Sequence, residues 1–202
     1  MLTFDTFCFT NRARIVAYVS PTVAAPLYLI WYTDTDEQET DRLLTCQTGE
    51  IAAVSALGDL PKLITQQIDL LMPADPLRRR LAKLIKAKPV ALSGFDLRAV
   101  ERALERRSLS SKLLEELTNF VNLFGDFIAQ DERNRPLTAY WKSEPIEEAW
   151  YYFYDYIFWP RFKKTNQYRT RNRPAPQFDY DSLLNAFVQL RQQFEQRLRL
   201  LS

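Results

Sequence analysis

The 202-residue chain contains no histidine. That absence removes the commonest general base, every Ser-His and Cys-His pair, and most zinc sites. Cysteine is almost missing as well: Cys8 and Cys46 are the only two, and they do not form a C-x-x-C pair. With so few thiols and such spacing, neither a metal site nor a dithiol redox centre is expected. Glycine is scarce, four in all, and none belongs to a G-x-G-x-x-G or P-loop pattern. The "SGF" at 93–95 reads as a loop glycine.

Long apolar runs are missing too. The longest nearly uncharged stretch, 15–33, is broken by Pro21 and Pro26. It reads as two strands, not a membrane helix. The N-terminus, "MLTFDTFCFTNR", lacks a basic start followed by an apolar run, so no signal peptide is expected. Two thiols without a secretory signal are expected to be reduced, in a cytoplasmic protein.

Some chemistry works without histidine, chiefly through paired carboxylates, Ser-Lys dyads or tyrosine. The densest acidic group is Asp34, Asp36, Glu37, Glu39 and Asp41. It lacks the glycine and spaced carbonyls of a calcium loop, so a solvated loop is expected. Glu115 and Glu116, like Glu147 and Glu148, stand early in expected helices, where the macrodipole alone accounts for them. The expectation is therefore no enzyme, no cofactor and no metal.

What is present is an ordinary globular composition, 47% hydrophobic and 26% charged, enough for one domain over 1–202. The net charge of +2 hides four blocks: −5 over 1–72, +7 over 73–114, −6 over 115–160 and +6 over 161–202. Such blocks either meet on folding or leave patches for partners.

The pattern changes once along the chain. "LTFDTFCF" and "RIVAYVS" alternate and suggest a first hairpin. "PLYLIWY" has the continuous apolar run of a strand buried on both faces. "RLLTCQ" and "EIAAVSAL" flank a turn in which Gly49 supplies a positive φ. Four or five strands are expected over 2–57, in a mostly antiparallel sheet. From Asp59 onward the period is helical, with Asp59, Asp96 and Ser143 as expected N-caps. "SSKLLEELTNFVNLFGDFIAQ" forms a strong amphipathic helix with Leu113, Leu117, Phe120, Val121, Phe124 and Ile128 on one stripe. "DYDSLLNAFVQLRQQFEQRLRLL" is expected to close the chain as a helix. The fold class is α+β, a small N-terminal sheet (1–57) covered by a helical majority of five or six helices (58–202).

The most unusual stretch is "AWYYFYDYIFWPRF", Ala149 to Phe162. Eight of the ten residues from Trp150 to Trp159 are aromatic. Pro160 is expected to end the helix. A 100° wheel puts Ile146, Ala149, Trp150, Phe153 and Ile157 on a core face, so Trp150→Ala is expected to cost on the order of 3–5 kcal/mol. The Tyr151, Tyr152 and Trp159 side is balanced between core and interface. Directly after it comes a run without an acid: Arg161, Lys163, Lys164, Arg169, Arg171 and Arg173, with Phe162 and Tyr168 interleaved. Tyr152, Trp159, Arg161, Phe162, Lys163, Lys164, Tyr168, Arg169, Arg171 and Arg173 are the expected partner-binding residues. The expected function is non-catalytic binding of an acidic protein surface, as in inhibitor, immunity or adaptor proteins. The alternative is a nucleic-acid-associated protein using the basic segments 78–88 and 161–173.

Overall fold

Six strands form a single mixed sheet, and helices pack over it to give the expected α+β arrangement. The computed structural model describes residues 13–34, 39–71, 91–162 and 173–201. The first half of the expected first hairpin, the basic segment 78–88 and Cys8 lie outside the described residues.

Strands β1 (Ala13–Val19), β2 (Leu27–Asp34), β3 (Thr40–Leu43) and β4 (Ile51–Val54) come from the region expected to be β-rich. β2 pairs antiparallel with β1, β3 and β4. The turn between β3 and β4 carries Gly49 at φ 97°, with its N–H on the Cys46 carbonyl. A side chain there would be strained, so the sequence reading of that glycine holds.

The sheet order is β5-β1-β2-β4-β6, with β3 beside β2. The outer strands β5 (Ala91–Asp96) and β6 (Leu198–Leu200) lie in the sequence beyond the expected β region. Both join in parallel, β5 on β1 and β6 on β4. Gly94 is thus not a loop glycine. It pairs with Ala17, and a Cβ there would come within 3.2 Å of the Ala17 carbonyl oxygen. Glycine inside a strand marks this kind of close approach. The final residues likewise leave the helix: α7 stops at Glu195, and the chain turns into β6.

The helices are α1 (Leu60–Gln66), α2 (Leu97–Glu105), α3 (Ser111–Ala129), α4 (Thr138–Trp141), α5 (Glu144–Phe153), α6 (Trp159–Phe162) and α7 (Tyr180–Glu195). Asp96 caps α2 by accepting the Ala99 N–H. Asp59 and Ser143 stand at N-cap positions, but neither side chain caps. Ser143 instead donates its hydroxyl to the Tyr140 carbonyl, and its own carbonyl starts α5.

Alternate residues of the strands enter two cores. Val16, Tyr18, Leu29 and Leu43 face a large core built with α2, α3, α5 and α7. Ile15, Ile30, Leu44 and Val54 face a smaller core closed by α1 and Leu201. β2 is therefore buried on both sides, as its unbroken apolar run implies. Phe120 is the hub of the large core. Its ring lies 5.2 Å from Phe194, 6.1 Å from Tyr18, 6.2 Å from Phe187 and 6.3 Å from Phe95. Sheet, α3 and α7 thus form the rigid body on which α5 and α6 are mounted.

Candidate functional site

Pro160 does not end the aromatic helix. The chain runs from α5 through a π-helical segment, Tyr154–Phe158, into α6, and the Trp159 N–H reaches back to the Tyr154 carbonyl. Proline lacks an N–H and crowds the carbonyl one turn before it. The wider turn lies where that crowding would fall, and it takes an extra residue per turn. Side chains after it are therefore displaced around the axis from where an unbroken wheel puts them.

The result is an edge, not a buried rod. Ile146, Ala149, Phe153 and Ile157 are buried in the large core. Trp150 differs from the sequence expectation: it is only partly buried and packs on the margin of that core. Its indole N–H donates to Asn122 Oδ1 at 2.8 Å, and Asn122 Nδ2 donates to the Tyr154 hydroxyl at 2.9 Å. Polar ring atoms are thus satisfied at the boundary, as amphipathic aromatics require.

Outside this boundary the rings form a chain. Trp150 lies 5.3 Å from Tyr151 and 4.2 Å from Tyr154, and Tyr154 lies 5.1 Å from Phe158. Phe158 lies 5.0 Å from Trp159 and stacks on Phe162 at 6.0 Å. Tyr151, Trp159 and Phe162 are 56%, 44% and 68% exposed. A phenylalanine exposed to that degree beside an exposed tryptophan is an apolar patch, not scattered surface.

Tyr152 is on the other flank. Its hydroxyl donates to the Pro174 carbonyl at 2.7 Å, and its ring meets Phe178 edge-on at 5.4 Å. Burial raises its pKa, against the pull of Arg173. Tyr152 therefore braces the segment leading into α7. Arg161 pairs with Glu115 at 3.0 Å, and Arg173 reaches Ser111 Oγ at 3.4 Å. Both ends of the basic segment thus rest on the first turns of α3. Lys163, Lys164, Tyr168, Arg169 and Arg171 lie outside the described residues. Arg161–Glu115 joins oppositely charged blocks, whereas Arg107–Asp181 and Arg191–Glu101 join the two net-positive blocks to each other.

Two polar groups were not singled out in the sequence. Arg191, nearly fully buried, bridges Glu101 at 3.1 Å and Glu195 at 2.8 Å. Glu195 also accepts the hydroxyls of Tyr18 and Ser20. Burial, and then the Glu195 charge, raise the Tyr18 pKa. This network pins the end of β1 to α2 and α7, and every charge in it has a partner. The i,i+4 spacing of Arg191 and Glu195 was its one sequence signal. The second group is Asp126 on α3, whose pKa is raised to about 7, first by burial and then by Asp41. The Trp31 indole and Arg14 act against that rise. Arg14 itself stacks on Trp31 at 3.7 Å.

Of the acidic group expected in a solvated loop, Asp34 ends β2 and is buried beside Arg42 at 3.4 Å, and Asp41 lies in β3 and accepts the Thr33 hydroxyl at 2.7 Å. Among the described residues, no group of three acidic or cysteine side chains is placed to hold a metal ion. Cys46 is free and buried, and its burial raises the thiol pKa. No helix among the described residues is long and apolar enough to cross a membrane.

No family model matches the chain, and no curated protein matches it. Among solved structures it is similar to the C-terminal domain of SatS, determined in complex with bromine. The two share 14% identity at a TM-score of 0.56, over 96% of this chain and 97% of that one. At that identity the likeness is one of fold.

Proposed function

We propose that this chain is a non-catalytic binding protein of the cytoplasm, of the inhibitor, immunity or adaptor kind. Its partner is a protein with an acidic surface. One observation carries the reading: the exposed Trp159 and Phe162 end the aromatic helix where the acid-free run of six cations begins. Rigid aromatic rings supply apolar anchors at low entropic cost, and the cations steer an acidic partner and fix its orientation. Anchoring of Arg161 and Arg173 on α3 supports this, because it ties both ends of the basic run to the rigid core. SatS carries no weight here beyond fold.

The test is capture from nuclease-treated host lysate, followed by binding measurements on the purified partner. Trp159→Ala with Phe162→Ala should lower affinity at least ~100-fold, as expected for two anchor residues. Lys163→Glu with Arg171→Glu should slow association and remove its salt dependence. Retention of full affinity in both double variants would refute the reading. So would micromolar binding to random DNA or RNA that falls steeply with salt, since that behaviour belongs to a phosphate-backbone binder.

A further inference from the structure

A concave site lies along α5, lined from α3, α4 and α5 and apart from Trp159 and Phe162. It is a pocket of about 180 Å³. Val121 and the fully buried Ile146 form part of its lining. Trp141, Trp150 and Tyr151 add three aromatic rings, and Lys142 and Glu147 add one charge of each sign. The volume is below that of drug-sized pockets, so the site suits a head group or a single side chain.

The tryptophans present rings and no free donors. Trp141 Nε1 donates to the Val121 carbonyl at 3.0 Å, and Trp150 Nε1 to Asn122 at 2.8 Å. Both rings are also held in place. Trp141 packs against Gly125, where a Cβ would come within 2.7 Å of the indole. Trp150 is clamped by Tyr154 at 4.2 Å and meets Tyr151 edge-on at 5.3 Å. A ring system that is fixed before binding loses little entropy on taking a ligand.

The charge around this cage selects the ligand. Glu144, Glu147 and Glu148 stand on the same helix, and Glu147 lines the pocket itself. The exposed Lys142 ammonium sits 5.4 Å from the centre of the Trp141 ring, so that ring already takes a cation on its face. Aromatic faces carry negative potential, and several of them beside a carboxylate hold alkylated ammonium groups. We propose that this pocket binds an organic cation of the alkylammonium class, a quaternary ammonium or an alkylated lysine side chain. The ligand displaces Lys142 outward and sits between the rings and Glu147. Trp159 and Phe162 take no part, so this site stands or falls apart from the docking edge.

The experiment titrates the full chain with choline chloride at constant ionic strength, read by tryptophan fluorescence and calorimetry. The controls are 3,3-dimethyl-1-butanol, which has the shape of choline without its charge, and sodium acetate. Choline should bind saturably, and the neutral isostere at least ~10-fold more weakly, as a desolvated cation–π contact predicts. Glu147→Gln and Tyr151→Ala should each weaken choline binding several-fold. Lys142→Ala should strengthen it, because a competing cation is removed. All three changes are at half-buried or exposed positions, and unchanged melting temperatures would show the folds intact. Equal binding of the isostere would overturn the proposal in favour of a merely apolar pocket. Acetate binding that is lost in Lys142→Ala would overturn it in favour of an anion site. No saturable response to choline up to about 10 mM would overturn it outright.

Discussion

Two helical stretches in this chain are rich in apolar residues, and they end in opposite places. α3 holds three phenylalanines, Phe120, Phe124 and Phe127, and all are fully buried. The stretch from Trp150 to Trp159 holds eight aromatics, of which only Phe153 is buried to that degree. The difference lies in ring chemistry and in backbone shape. Phenylalanine has no polar atom to satisfy, so it can occupy the centre between sheet and helices. Tyrosine and tryptophan keep a donor that needs a partner, and here at the margin Asn122 Oδ1 accepts from Trp150 and the Pro174 carbonyl accepts from Tyr152. The π-helical turn before Pro160 then swings the last rings, Trp159 and Phe162, outward. Aromatic density therefore measures amphipathic surface here as much as core.

Stability measurements can break this contrast, and the largest expected effect lies on α3. Phe120→Ala should cost about 3–5 kcal/mol in denaturant unfolding, because a hub ring leaves a cavity among four other rings. A loss near 1 kcal/mol would mean that the centre is not where the ring contacts place it. Trp150→Ala should cost less, about 2 kcal/mol, because the ring is half-buried and Asn122 can turn to water. A cost equal to that of Phe120→Ala would restore Trp150 to the core and erase the contrast.

A third measurement sharpens the comparison within α3, where burial raises the pKa of the acid Asp126. The Asp126 pKa is raised from an ordinary 3.8 to about 7, so the native state holds its proton more tightly than the unfolded chain. This group's contribution to stability is complete below about pH 4, declines as pH rises, and is lost above about pH 7. Asp126→Asn mimics the protonated form. It should match the parent at pH 4 and exceed it at pH 8 by about 1–2 kcal/mol, a value reduced from the full linkage figure for partial hydration. Parallel pH profiles for parent and variant would show that the carboxylate is freely solvated.

The contrast also marks where sequence reading succeeds. β2, the Gly49 turn and α3 were legible because their signals are local: an unbroken apolar run, a required positive φ, and a 3.6-residue stripe. β5 and β6 were not, because their reasons are distant. Gly94 reads as a turn residue until Ala17 is set against it. Leu198 continues the helical spacing of Phe194, and only the unpaired edge of Ile51–Ala53 draws it into a strand. Within the candidate site, the exposure of Phe162 and the pairing of Arg161 with Glu115 depend on the π turn and on α3. The aromatic and basic composition was visible, but not which rings face outward. The Trp141–Trp150–Tyr151 cage combines α4 with α5 and leaves no pattern in either segment alone.

The smallest expected effect on stability is also the most direct test of the central claim, that the far end of the aromatic helix is a surface for a partner. Trp159→Ala combined with Phe162→Ala should change unfolding free energy by no more than about 1 kcal/mol in all, because the rings lose contact mainly with each other and with the margin rings Tyr154 and Phe158. The same double variant should lose the nuclease-resistant protein partner. Near-unchanged stability with lost binding is the result predicted. A loss of about 3 kcal/mol or more, with the partner retained, would show that these rings serve the fold and that the binding surface lies elsewhere.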